Sequence, residues 1–136
     1  HNVVSVAPNS TICDCANLMC NEHIGCVPVC NKDKNIVGLV TDRDLILRCI
    51  ASGKDINTTP VSDIMTSKVC CCSENEEITN AQKTMSEYQI RRLPVVDDNN
   101  KVIGILTLGD LCKNENINNV GETIENICKC NTKNAE

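Results

Sequence analysis

Apolar runs and polar clusters alternate along this chain, and the same succession occurs twice. Val3 to Val6 and Val69 to Cys72 are short, β-rich runs, each followed by polar positions suited to a helix start, Asn9-Ser10-Thr11 and Ser73-Glu74-Asn75. Helical spacing then places Ile12, Cys15/Ala16 and Met19 on one face of a segment from about Ile12 to Asn21. It does the same for Ile78, Ala81 and Met85 between about Ile78 and Glu87. Two strands split by a polar turn come next. In the first copy these are Cys26 to Cys30, the turn Asn31 to Asn35, and Ile36 to Thr41. In the second they are Leu93 to Val96, the turn Asp97 to Asn100, and Lys101 to Thr107. Second helices are predicted over about Asp42 to Ala51 and Leu108 to Lys113. The unit is β-α-β-β-α, written twice, which makes the chain a mixed α/β (α+β) protein.

The two copies superimpose without a gap. Val3 falls on Val69, Ile12 on Ile78, Met19 on Met85, Pro28-Val29 on Pro94-Val95, Gly38 on Gly104, Thr41 on Thr107 and Asp44-Leu45 on Asp110-Leu111. A single duplication of this length marks a repeated supersecondary unit; a solenoid needs about three or more copies. Between the copies, Ser52 to Pro60 is polar and bounded by Gly53 and Pro60, and reads as a linker. The expected divisions are a first repeat over 1–51, a linker over 52–60, a second repeat over 61–116, and a C-terminal helix and tail over 117–136. In that tail Val120, Ile124, Ile127 and Cys128 share one side of a helix from Val120 to Cys130. The lead-in Val61-Ser-Asp-Ile-Met65 precedes the second copy; its counterpart would lie upstream of His1, so the first repeat is expected to lack its lead-in.

Each copy ends its last strand in the same motif, Gly38-Leu-Val-Thr-Asp-Arg-Asp44 and Gly104-Ile-Leu-Thr-Leu-Gly-Asp110. Together with the VSDIMT lead-in at Val61 to Thr66 and the strands Ile24-Gly-Cys-Val-Pro-Val29 and Ile90-Arg-Arg-Leu-Pro-Val95, these endings resemble a tandem pair of cystathionine-β-synthase (CBS) domains, a Bateman module of the stand-alone bacterial type. The resemblance runs from Val3 to about Leu111. It implies two units packed sheet to sheet about a pseudo-twofold axis, with two clefts that bind adenosine-containing ligands such as AMP, ADP, ATP or S-adenosyl compounds. It further implies a regulatory module that passes ligand occupancy to a partner by conformational change, and association into homodimers.

The residues agree with that chemistry. Thr41 and Thr107 close buried strands, and Asp44 and Asp110 fall in the first turn of the helices that follow. Hydroxyl and carboxylate therefore converge on one patch. A carboxylate has room for two hydroxyl donors, as a ribose diol presents, and the helix start favours nearby phosphate. The same Thr-x-x-Asp spacing is also ordinary helix capping, so the residues alone leave both roles open. By the resemblance, one cleft combines Val4, Ile24, Gly25 and Cys26 with Arg91, Arg92, Thr107 and Asp110; its mirror combines Thr41 and Asp44 with Met65, Cys70 and Ile90. Arg91-Arg92 suits phosphate through its planar donor fork and is expected to favour phosphorylated ligands, although the same pair also reads as a surface offset to Asp97 and Asp98.

Composition narrows the alternatives. A formal charge of −5 and a single aromatic residue, Tyr88, disfavour nucleic acid, which calls for clustered cations and stacking rings. No run approaches the roughly 20 apolar residues of a membrane span, and no basic-then-apolar leader opens the chain, so no membrane partner is expected. Twelve cysteines are the oddity. Their spacing is not the paired CxxC of structural zinc sites, and many replace small apolar residues, which reads as reduced, cytoplasmic packing thiols. The alternative is a metal or redox sensor built from Cys70-Cys71-Cys72 with Cys13, Cys15, Cys128 or Cys130, and a third reading is a structural dimerisation unit. His1 and His23 offer no base for a nucleophile, and neither glycine motif is a Walker loop, so no enzymatic activity and no required cofactor or metal are expected.

Overall fold

The computed structural model describes residues 3–114 and 124–127. Contacts divide the chain into two units, His1–Val69 with Asn99–Val102, and Cys70–Asp98 with Ile103–Glu136.

In the first unit, helix α1 (Ile12–Glu22) is followed by strands β1 (Cys26–Cys30) and β2 (Ile36–Thr41), which pair antiparallel with Cys26 opposite Thr41 and Val29 opposite Gly38. Helix α2 (Asp42–Asp44) runs directly into a π-helix over Leu45–Ile50. Every residue of β1 is buried, as the unbroken apolar run requires. Ile12, Cys15 and Met19 of α1 close over it in one core with Val27, Val29, Val40, Leu45 and Cys49.

The expected strand Val3 to Val6 is reduced to one bridge, Val6 to Val29, with Val6 N–H donating to the Pro28 carbonyl and Cys30 N–H to Val6. Extending that parallel ladder backwards requires an N–H at residue 28, which proline lacks. The second unit repeats the effect: β3 is only Cys72–Ser73, paired parallel with Val95 and Val96 of β4 (Arg92–Val96), so pairing stops short of Pro94. The expected strand Val69 to Cys72 is thus shortened and shifted for the same reason.

In this second unit the sheet order is β3-β4-β5, where β5 is Val102–Thr107, flanked by helices α3 (Ile78–Tyr88) and α4 (Leu108–Asn114). Ala81 and Met85 of α3 pack with Leu93, Leu111 and Ile127. Of the expected C-terminal helix, a helical stretch over 124–127 is described, with Ile127 buried and Ile124 exposed; Val120, Cys128 and Cys130 lie outside the described residues.

The segment expected as a linker folds back on α1. Thr59 and Ile56 carbonyls accept from the Ile12 and Cys13 N–H groups, and the Thr11 hydroxyl accepts from Asp14 N–H. Three N–H groups that a helix start leaves free are thereby satisfied. The lead-in also joins this unit: Thr66 exchanges both backbone hydrogen bonds with Leu39 of β2, at 3.0 and 2.9 Å.

Candidate functional site

In each unit the last strand delivers its threonine directly into the helix that carries the aspartate. Thr41 is the N-cap of α2: its hydroxyl accepts from Asp44 N–H at 3.2 Å, while Asp44 Oδ2 accepts from Thr41 N–H at 2.9 Å. The second unit reproduces the arrangement, with Asp110 N–H to Thr107 Oγ1 at 3.1 Å and Thr107 N–H to Asp110 Oδ2 at 2.9 Å. The first helical N–H is satisfied in parallel fashion, by the Gly25 carbonyl for Asp42 (2.9 Å) and the Arg91 carbonyl for Leu108 (2.8 Å). A reciprocal capping box thus occupies one carboxylate oxygen in each unit and leaves the other outside the cap.

The capping reading of Thr-x-x-Asp therefore describes what these side chains do in the free chain. It does not exhaust them. An ionised carboxylate offers about four acceptor positions, and the cap uses one. Asp44, Asp110 and both threonines are half-buried, reachable from solvent and fixed in orientation by their backbone bonds.

The second oxygens have different surroundings. Asp44 Oδ1 lies 3.6 Å from Nε of Arg48, whose Nη1 donates to the Ile64 carbonyl at 3.1 Å and to Thr66 Oγ1 at 3.4 Å. Asp110 pairs with no cation among the described residues, and at the position matching Arg48 the second repeat carries Asn114. Arg48 was not singled out in the sequence; the available signal was its place four residues after Asp44 on a helix. At Gly38 the space beside the strand is filled by Met65, whose thioether meets any Cβ added there. Around Gly104 the nearest atom is Val95 Cβ at 4.0 Å.

The remaining expected site residues separate by unit. Gly25 and Cys26 stand beside Thr41, through the Gly25–Asp42 bond and the Cys26–Thr41 pairing, with Ile24 adjoining and Met65 lying against Gly38 of β2. Val4 is half-buried at the start of the same unit, near Val6. Ile90 and Cys70 pack on the second unit's core, Arg91 precedes β4 and bonds through its carbonyl to the residue after Thr107, and Arg92 opens β4, with Arg91 exposed. The structure thus brings Gly25 and Cys26 to Asp44, and Arg91 and Arg92 to Asp110, within single units.

The thiols do not form an alternative centre among the described residues. Cys13, Cys15 and Cys70 to Cys72 are free thiols, and among the described residues no three His, Cys, Asp or Glu side chains converge as metal ligands. Burial pushes the Cys15 thiol up to about 11 and also raises Cys30, Cys71 and Cys72. Reactive thiols are shifted the other way. No helix among the described residues is long and apolar enough to cross a membrane.

Comparison with known proteins identifies the family. The CBS domain family profile matches residues 1–50 and 61–116. The chain is 40% identical over 126 residues to the CBS domain-containing protein YhcV of Bacillus subtilis, spanning 92% of this chain and 88% of that one. It resembles the crystal structure of CBSX2 in complex with AMP, at 30% identity and TM-score 0.70, over 82% of this chain and 86% of that one. A further match is the CBS domain pair of protein MJ0100 in complex with 5-methylthioadenosine and S-adenosyl-L-methionine, at 28% identity and TM-score 0.73, over 83% and 87%.

Proposed function

From the premise that the chain belongs to the CBS domain family and carries two copies of that domain, we propose that it is a regulatory module that binds adenosine-containing ligands. The observation that carries this reading is the twice-built aspartate: one oxygen locked in a cap, the other outside it, beside a threonine at a strand end. A pre-oriented carboxylate of that kind accepts from a ribose diol with little loss of side-chain freedom, since the cap has already fixed its rotamer. Solved relatives of this fold hold AMP, and methylthioadenosine with S-adenosylmethionine.

In this reading Thr107 and Asp110 hold ribose, Arg91 and Arg92 take phosphate, and Thr41 and Asp44 form the second ribose site. Val4, Ile24, Gly25, Cys26, Met65, Cys70 and Ile90 supply apolar and backbone surface to the adenine. With tyrosine the only aromatic residue in the sequence, adenine is held by aliphatic and sulfur contacts, so affinity is modest. Binding acts by population shift on an attached or associated partner, and the chain itself performs no chemistry.

Isothermal titration of the full chain with AMP, ADP, ATP and S-adenosylmethionine tests the proposal. Saturable heat with at least one of them is expected. Flat traces with all four, from protein shown to be folded by circular dichroism, remove it.

A further inference from the structure

The two aspartates are written alike but are not equally available. Asp110 keeps its second oxygen clear of any cation among the described residues, whereas Asp44 faces Arg48 at 3.6 Å. Arg48 is itself tied to the lead-in segment by hydrogen bonds to Ile64 and Thr66. That segment is fixed a second time by the Thr66–Leu39 backbone pair, and a third by Met65 seated over Gly38. The guanidinium thus spans from the carboxylate to the lead-in residues Ile64 and Thr66, within one unit. At the matching position the second repeat has Asn114, which carries no charge, so this electrostatic competitor is absent there whatever its rotamer.

We propose that Arg48 is a specificity-determining residue that decides which of the two sites fills first. It acts as an internal occupant of the Asp44 site, meeting the oxygen that a ribose diol needs, so a nucleoside enters there only by displacing the guanidinium. The Asp110 site takes the ligand without that competition. This inference rests on the proposed reading of the aspartates as ribose acceptors. The ion pair is exposed on the arginine side, where the Arg48 side chain is 51% accessible, so the competition is modest and reversible. It orders occupancy and does not abolish the weaker site. Arg48 is a positioning residue for Asp44, since it acts through the carboxylate and the lead-in.

The test isolates the first site by removing the second. In Asp110→Asn the amide oxygen still accepts from Thr107 N–H, so the cap survives, but no carboxylate remains for a diol. AMP titrated into Asp110→Asn reports the Asp44 site, and the same titration into Arg48→Asn/Asp110→Asn reports that site without its competitor. Tighter binding by about two- to fivefold in the double variant is expected, the factor that corresponds to releasing one exposed ion pair. Equal affinity, weaker affinity, or no detectable binding in both variants overturns the proposal; weaker affinity would make Arg48 a direct ligand contact.

A ligand-free arm keeps this distinct from the sensing claim. Hydrogen exchange at the Leu39 and Thr66 amides quickens in Arg48→Asn if the guanidinium braces the lead-in, and unchanged exchange counts against that brace. If wild-type protein also gives flat AMP traces, site selection for AMP fails, whereas the sensing reading falls only when ADP, ATP and S-adenosylmethionine are flat as well; the exchange arm still reports the brace by itself.

Discussion

In the proposed reading Asp44 and Asp110 each answer two demands, a helix cap and a ribose, and the structure shows the first. Capping explains Oδ2 completely; it gives no reason for the second oxygen. In the proposed reading phosphate recognition rests on Arg91 and Arg92, whose guanidinium groups have no ion-pair partner among the described residues. Replacing both by glutamine is expected to weaken AMP by about tenfold or more while leaving adenosine unchanged, because a hydrogen bond to a charged group contributes about 1.5–3 kcal/mol. Equal losses for AMP and adenosine would remove them from the phosphate role. Cys15 carries a different residue-scale expectation. Its thiol is buried and titrates near 11 against an ordinary 9.0. The folded state therefore holds a proton that the unfolded chain releases, so this contribution is complete below pH 9 and is lost as pH rises through 11. Over that window denaturant melts should show the chain losing on the order of 2 kcal/mol, and Cys15→Ala should flatten that slope. The Thr-x-x-Asp pairs were legible in the sequence because they are local. Arg48 was not, because its partners at Ile64 and Thr66 are brought to it only by the tertiary fold.

Among the elements, the clearest contrast lies between the two matched helices. The start of α1 has a reciprocal cap at Thr11 and borrowed carbonyls from Ile56 and Thr59, and its first apolar residue, Ile12, is buried. The matching start of α3 has Glu77 at the N-cap with no side-chain bond, and Ile78 there is 41% exposed. Thr11→Ala should cost about 1 kcal/mol, and Glu77→Thr should gain a similar amount, since Glu77 already has the extended backbone that a capping threonine uses. Denaturant midpoints check both. No gain from Glu77→Thr would mean that α3 is secured by packing alone. Helices and paired strands were read from the sequence to within about a residue because their periodicities are strong. The first strand of each repeat was overread, since the apolar run carries no mark of the proline that stops its pairing from the neighbouring strand. The π-helical turn over Leu45–Ile50 also escaped notice: its Ala51 N–H to Ile46 carbonyl bond at 2.8 Å widens the helix without a composition cue.

At the scale of the molecule, duplication was the strongest message in the sequence, and the family comparison follows the same two halves. The apparent linker was less legible. Its polar composition described its exposure correctly, but its carbonyls serve the start of α1, a role set by geometry and carried by backbone atoms that composition does not reveal. The twelve cysteines misdirect attention in a similar way, because a thiol that packs as a small hydrophobe and one that binds metal are the same letter. The central claim, that a carboxylate shared with a helix cap receives a ribose, is tested most directly by a crystal structure of the chain grown with AMP. The account predicts both ribose hydroxyls within about 2.5–3.0 Å of the Asp110 carboxylate, with the Thr107 cap intact. AMP bound elsewhere, with Asp110 engaged only by its own backbone, would contradict it.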